Sequence, residues 1–158
     1  MESPRQEFAG SIGLLILRVG IGGYMLTHGW GKLQMLLAGD FDKFGDPIGL
    51  GSVLSLTLIV TAEFCGALLV MIGLATRFAA AVPAVAMGVA ALVVHAGDPW
   101  TMETAARLFM SGEAKSWASK EPALLYLIPF LTLIFTGAGR FSLDRLICSR
   151  WRRGAEKR

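Results

Sequence analysis

The sequence predicts an all-α integral membrane protein. The expected fold is a four-helix bundle with a short amphipathic outer-surface segment between helices 3 and 4. Two observations carry this expectation. Apolar residues make up 54% of the 158-residue chain and charged residues only 17%, against about 25% charge in an ordinary soluble domain. Mean hydropathy is +0.56. The apolar residues also gather into four runs, at about 10–37, 50–74, 78–95 and 122–138, each near the ~20 residues a helix needs to cross a hydrocarbon core. None alternates with the period of two that a barrel strand would show. The length, 1–158, suits a single domain.

The first run is too long for the apolar part of a signal peptide. It contains Arg18 and lacks a small-residue cleavage site, so it reads as a span. At about 100° per residue, Arg18, Ile21, Met25, His28 and Lys32 fall in a stripe about 80° wide, a face expected to point inward. The second run holds Ala62 and Gly66, a small-x-x-x-small pair beside Glu63. In the third, Ala81, Ala84, Gly88, Ala91 and His95 form a seam of small residues ending in histidine. The connection 97–121 carries Trp100, Trp117, Leu108, Phe109 and Met110 and reads as an amphipathic helix on the outer surface, a connector or a lid.

Orientation follows from the placement of Lys and Arg. The connection 39–49 holds Asp40, Asp42 and Asp46 against Lys43, whereas the tail 140–158 holds Arg140, Arg145, Arg150, Arg152, Arg153, Lys157 and Arg158. Basic residues collect on one side. The expectation is a multi-pass cell-membrane protein with both termini cytoplasmic. Its tail would touch anionic headgroups of the lipid bilayer and not nucleic acid. Cys65 and Cys148 lie on different levels, and there is no Cys-x-x-Cys. Dithiol chemistry and a metal site are therefore not expected.

Ionisable groups inside an apolar span cost several kcal/mol unless paired, so each needs a partner or a role. Five qualify: Arg18, His28, Lys32, Glu63 and His95. With the first span starting near Gly10, Arg18 lies about 12 Å deep, and Glu63, counted from Leu74, about 16 Å. The expected inner contact is therefore an Arg18–Glu63 ion pair. His28, Lys32 and His95 are expected above it, in a basic outer chamber suited to an anionic or carbonyl-bearing ligand.

Several segments resemble the DoxX family of small four-helix membrane proteins. They are Leu17-Arg18 and Thr27-His28-Gly29-Trp30-Gly31-Lys32 in the first span, Glu63-Phe64-Cys65-Gly66-Ala67 in the second, and Ile72-Gly73-Leu74-Ala75-Thr76-Arg77-Phe78 across the turn. Gly97-Asp98-Pro99 and the exit Gly137-Ala138-Gly139-Arg140-Phe141-Ser142-Leu143-Asp144 complete the set. The resemblance runs from about Ile12 to Ile147. It implies a four-helix bundle in the plasma membrane and a link to oxidoreductase chemistry. Some relatives are named as subunits of thiosulfate:quinone oxidoreductase or as parts of membrane-associated redox complexes.

The leading functional expectation is a component of a quinone-linked oxidoreductase system that binds a quinone or similar small ligand within the bundle. Electrons would come from a partner redox protein, because the chain has no dithiol. Gly20-Ile21-Gly22-Gly23 lies in a span and is no dinucleotide loop. The alternative is a non-enzymatic scaffold or assembly factor for a redox or stress-defence complex. Haem held by His28 and His95 is disfavoured, because Lys32 one turn above His28 would crowd a porphyrin. A transporter is less favoured for want of an inverted repeat, unless the protein is a homo-oligomer.

Overall fold

A computed structural model describes residues 4–155. Among them there is no strand, and the elements are helices. Helix α1 spans Pro4–Ala38. Helix α2, Ser52–Ile72, has a π-helical segment at Thr61–Gly66, and helix α3, Thr76–Val94, ends in a second one at Ala90–Val94. The amphipathic α4 is Met102–Met110, α5 is Glu121–Thr136 and α6 is Leu143–Ala155. Three of these, α1 to α3, are long and apolar enough to cross a membrane; α5 is apolar but shorter, at 16 residues. Lys157 and Arg158 of the basic tail lie outside the described residues.

Helices α1, α2, α3 and α5 pack on one another, with α1 against α2 the broadest contact and α3 against α5 next. Their common core is Met25 from α1, Ala67 and Val70 from α2, Ala80 and Ala84 from α3, and Phe130 and Leu133 from α5. The small-residue seam of α3 is real but rotated. Of the expected seam Ala84 and Ala91 are buried, the rest of the buried face being Ala80 and Met87, while a Cβ on Gly88 would meet open space. Large apolar side chains cover the outside: Phe78 is 81% exposed and Phe135 78%. A water-soluble monomer rarely leaves such apolar surface uncovered. Surrounding lipid would cover it.

Two glycines set the register of α1 on α2. A Cβ on Gly29 would lie 2.7 Å from the carbonyl carbon of Glu63 and 2.8 Å from its oxygen, and one on Gly22 would meet Met71 and the carbonyl of Ala67. Backbones can approach this closely only where no side chain intervenes. The true inward stripe of α1 is therefore Arg18, Gly22, Met25, Gly29 and Lys32, at 4-3-4-3 spacing.

That register places Arg18 at the end of α2. Its guanidinium is fully buried and donates to the carbonyls of Val70 at 3.3 Å, Met71 at 3.2 Å and Phe141. The last carbonyls of a helix have no partner within it and carry the negative end of its dipole. An arginine with five donors in a rigid fork suits them. The expected Arg18–Glu63 pair is thus incorrect. Arg18 is eleven residues from Gly29, which marks the level of Glu63, and that is about 16 Å along the helix. The depth estimate failed because α1 runs past the bundle: Phe8 stacks edge-on against Phe141, and Ser11 packs under Gly139.

The α2–α3 turn completes this knot. Gly73 closes α2 with φ +71°, and a side chain there would strike the Arg18 guanidinium. Asp144 of α6 then caps α3 from outside: its carboxylate accepts from the N–H of Ala75 at 2.7 Å and of Thr76 at 3.0 Å, while its own N–H donates to Gly73 O at 2.9 Å. At the opposite end, Asp46 organises the start of α2. It accepts from the N–H groups of Leu50 and Gly51 and from the Ser55 hydroxyl. The Ser55 bond first, and then the backbone donors, hold its carboxyl below the usual carboxylate range.

Arg18→Ala takes the side-chain donor from three carbonyls; that of Val70 keeps the Gly73 N–H, and each one left unpaired costs about 1–3 kcal/mol. It should sharply reduce the fraction of protein surviving a heat step as a monodisperse peak in detergent. Gly73→Ala, which keeps the arginine but crowds it, should lower the same survival curve. Because the folded pKa of Asp46 is lowered, its contribution to stability is present above the unfolded value of about 3.9 and is lost as pH falls through the folded value. Hydrogen exchange at 50–55 should therefore lose protection only below about pH 4 in the wild type, and already at neutral pH in Asp46→Asn.

Candidate functional site

Of the five candidate ionisable groups, three gather in one cluster, with His95 and Arg18 apart from it. At the Gly29 contact, Lys32 of α1 reaches over to α2, and its Nζ lies 2.5 Å from Glu63 Oε1 and within hydrogen-bonding distance of Oε2. The carboxylate side chain is only 4% exposed; that of Lys32 is 30% exposed. Glu63 belongs to the π-helical segment of α2, a widening that recurs at functional positions in helices. It sits near the middle of α2, so the ion pair lies far from both ends of an apolar helix.

One turn before Lys32, His28 Nε2 lies 3.1 Å from the hydroxyl of Tyr126 on α5. The two rings meet edge-on, 5.4 Å between centroids. His28 is exposed on the flank of the helix pack, and Tyr126 is half-buried beside it. The cluster therefore joins three helices: His28 and Lys32 from α1, Glu63 from α2 and Tyr126 from α5. A proton can be exchanged along the His28–Tyr126 bond. A carbonyl oxygen arriving beside it would meet one free donor, the phenol O–H where His28 Nε2–H donates to Tyr126, or the imidazole Nδ1–H where the phenol donates to Nε2.

His95 does not join them. It follows α3 and bonds through Nδ1 to Asp98 Oδ2 at 2.7 Å. Lys120 closes the same corner, donating to the carbonyls of Ala96 and Asp98 and lying 5.4 Å from the Trp100 ring centroid. Gly66 packs against Pro83 and Ala79, which puts Glu63 and His28 level with about residue 85. His95 is some ten residues further, or about 15 Å along α3. The expected outer chamber of His28, Lys32 and His95 does not form, and the two imidazoles cannot flank one haem iron. Arg18 stands at the other end. Of the five candidates, His28, Lys32 and Glu63 come together.

Tyr126 is the member that sequence reasoning missed. Its signal was present as the single hydroxyl-bearing ring in the run 122–138. Lys120 and Asp98 were visible only as loop charges.

The DoxX family model matches residues 13–96, which covers α1 from Gly13 through α3 and the turn carrying His95. The chain belongs to the DoxX family. The match includes Arg18, His28, Lys32, Glu63 and His95, along with Gly22 and Gly29; Tyr126 and the Asp144 cap lie beyond it. Nothing among curated proteins or solved structures matches the chain. As a DoxX family membrane protein, it has three helices long and apolar enough to cross a bilayer, and His28 is exposed on the flank of the helix pack.

Removing Lys32 alone leaves Glu63 as a buried unpaired charge, a loss of about 3–5 kcal/mol. Lys32→Ala should therefore lower thermal survival in detergent strongly. The double variant Lys32→Met, Glu63→Leu should recover most of that loss. A double variant no better than the single one would mean that the pair contributes something other than mutual neutralisation.

Proposed function

We propose that the protein is a membrane component of a quinone-linked oxidoreductase system, and that a quinone or similar lipophilic carbonyl compound binds at His28 and Tyr126. The observation that carries this reading is the hydrogen-bonded His28–Tyr126 pair, exposed on the apolar flank at mid-height of the helices. A ligand reaching that position comes through lipid, which selects for an apolar molecule with a polar head. A bound quinone would supply the redox chemistry. His28 and Tyr126 would orient its carbonyl oxygen and hold protons there, and Lys32 would set a positive charge nearby while Glu63 keeps it neutral overall. Electrons are assigned to a partner redox protein.

The same reading takes α5 as a fourth span, completing a four-helix bundle with both termini cytoplasmic in the cell membrane. What supports it is that Arg77, Arg140 and Arg145 stand at the end of the bundle that holds the α2–α3 turn and the start of α6. Sixteen residues reach about 24 Å, and Lys120 and the 137–142 turn extend the segment at either end.

The second reading is a non-enzymatic scaffold or assembly factor for a redox or stress-defence complex, alone or as a homo-oligomer. It is favoured by the internal pairing of Arg18, Lys32, Glu63 and His95.

The test is quinone binding by the full chain in lipid nanodiscs, read by tryptophan quenching with a short-tailed quinone. Wild type should bind saturably. Tyr126→Phe should weaken binding about tenfold, the equivalent of one hydrogen bond, and His28→Ala at least as much, with both variants eluting as folded protein. Linear, non-saturable partitioning that is identical in all three proteins would reject the quinone site and leave the scaffold.

A further inference from the structure

Helix α6 carries an apolar face that nothing else among the described residues covers. Leu143, Leu146, Ile147 and Trp151 lie within an arc of about 140° at 100° per residue. All four are exposed, Trp151 at 86%. The opposite side, with Asp144, Arg145, Cys148 and Ser149, lines a cavity of about 320 Å³ against the 137–142 turn. The polar side is thus turned back to the helix exit and the apolar side away from it. This direction is not free to drift, because the two hydrogen bonds that the Asp144 carboxylate accepts from the N–H groups of Ala75 and Thr76 anchor the first turn of α6 to the bundle.

Charge identifies what covers the apolar face. Residues 140–158 contain seven basic and two acidic side chains, a net +5, so the preceding 139 residues are net −2. A second copy of the chain would bring one cationic tail against another. An anionic lipid surface complements it. A helix with a basic polar face, one apolar face and a tryptophan is suited to lie in a headgroup layer, where indole rings concentrate. Arg150 falls inside the apolar arc. Its aliphatic stem can lie along the arc while the guanidinium reaches phosphate. The distance also fits: α6 begins seven residues after α5 ends, so it cannot leave the membrane surface far behind.

We propose that α6 is an interfacial helix that seats Leu146, Ile147 and Trp151 in the acyl boundary and binds anionic phospholipid through its arginines. The source of the phosphate is the bilayer that holds the bundle. This inference does not depend on the quinone site.

The experiment uses the full chain carrying Cys65→Ala and Cys148→Ser, with single cysteines placed in turn at 145, 146, 147, 149 and 151, spin-labelled and reconstituted into bilayers containing phosphatidylglycerol. Collision with oxygen reports lipid and collision with a nickel chelate reports water. Labels at 146, 147 and 151 should favour oxygen, and those at 145 and 149 nickel. Replacing the anionic lipid by phosphatidylcholine, or raising salt to about 1 M where charges are screened within about 3 Å, should raise nickel access at 146, 147 and 151 at least about twofold. Nickel access at every position in anionic bilayers would overturn the proposal, as would shielding of 146, 147 and 151 from both colliders, the mark of a covering protein or second copy. Oxygen preference that is indifferent to lipid charge and salt would overturn the anionic-lipid assignment.

Discussion

The backbone contact between α1 and α2 decides where the buried charges Arg18, Lys32 and Glu63 end up. Gly22 and Gly29 let the helices touch along one line, and touching backbones allow only one relative height. Once Gly29 lies on Glu63, Lys32 is the cation within reach of that carboxylate and Arg18 is carried to the carbonyls that end α2. In apolar surroundings those carbonyls cannot turn to water, and an unsatisfied group costs several kcal/mol. Arg18 thus does for α2 what solvent does for a helix in a soluble protein. It also holds the exit of α5 through Phe141, and Asp144 fastens α6 to the same turn. One end of the bundle is tied by a cation on carbonyls, and its middle by a cation on a carboxylate.

The apolar helices, the amphipathic segment and the ionisable groups that need a partner were legible in the sequence, because apolar run length and misplaced charge are local signals. Height was not. Helical periodicity reports which face a residue occupies, but the level of Arg18 against Glu63 depends on where each helix begins relative to its neighbour. Here α1 projects beyond the bundle, so counting from Gly10 put Arg18 too deep. The spacing Arg18, Gly22, Met25, Gly29, Lys32 contained the answer, but glycines in an apolar run read as permissive filler rather than as contact points. His95 looked like a site residue because its partner Asp98 was assigned to a loop. Tyr126 was passed over because a single hydroxyl in a span carries no charge to be explained.

The structure separates two uses of polar groups in an apolar setting. Arg18, Asp144, Lys120 and Asp98 work at helix ends, where they satisfy backbone or close a corner. Lys32, Glu63, His28 and Tyr126 sit away from the ends, on three different helices. No helix end requires them there, and His28 is exposed on an apolar flank. That is the physical reason the proposed function rests on them. The π-helical segment beneath Glu63 adds to it, because the regular α-helix would turn the following residues onto a different face. The matched family region contains three of the four and ends before Tyr126, so the fourth helix completes what the first two begin.

The pairing of Glu63 with Lys32 and not with Arg18 underlies both the helix register and the proposed site, and solid-state NMR in lipid bilayers can measure it directly. With ¹³C at the glutamate carboxyl and ¹⁵N at either the lysine Nζ or the arginine guanidinium, rotational-echo dephasing of the Glu63 carboxyl reports which cation is its neighbour. Strong dephasing is expected from labelled lysine, abolished in Lys32→Met, and none from labelled arginine. Dephasing from arginine that disappears in Arg18→Lys would contradict the register of α1 on α2 and the site built on it.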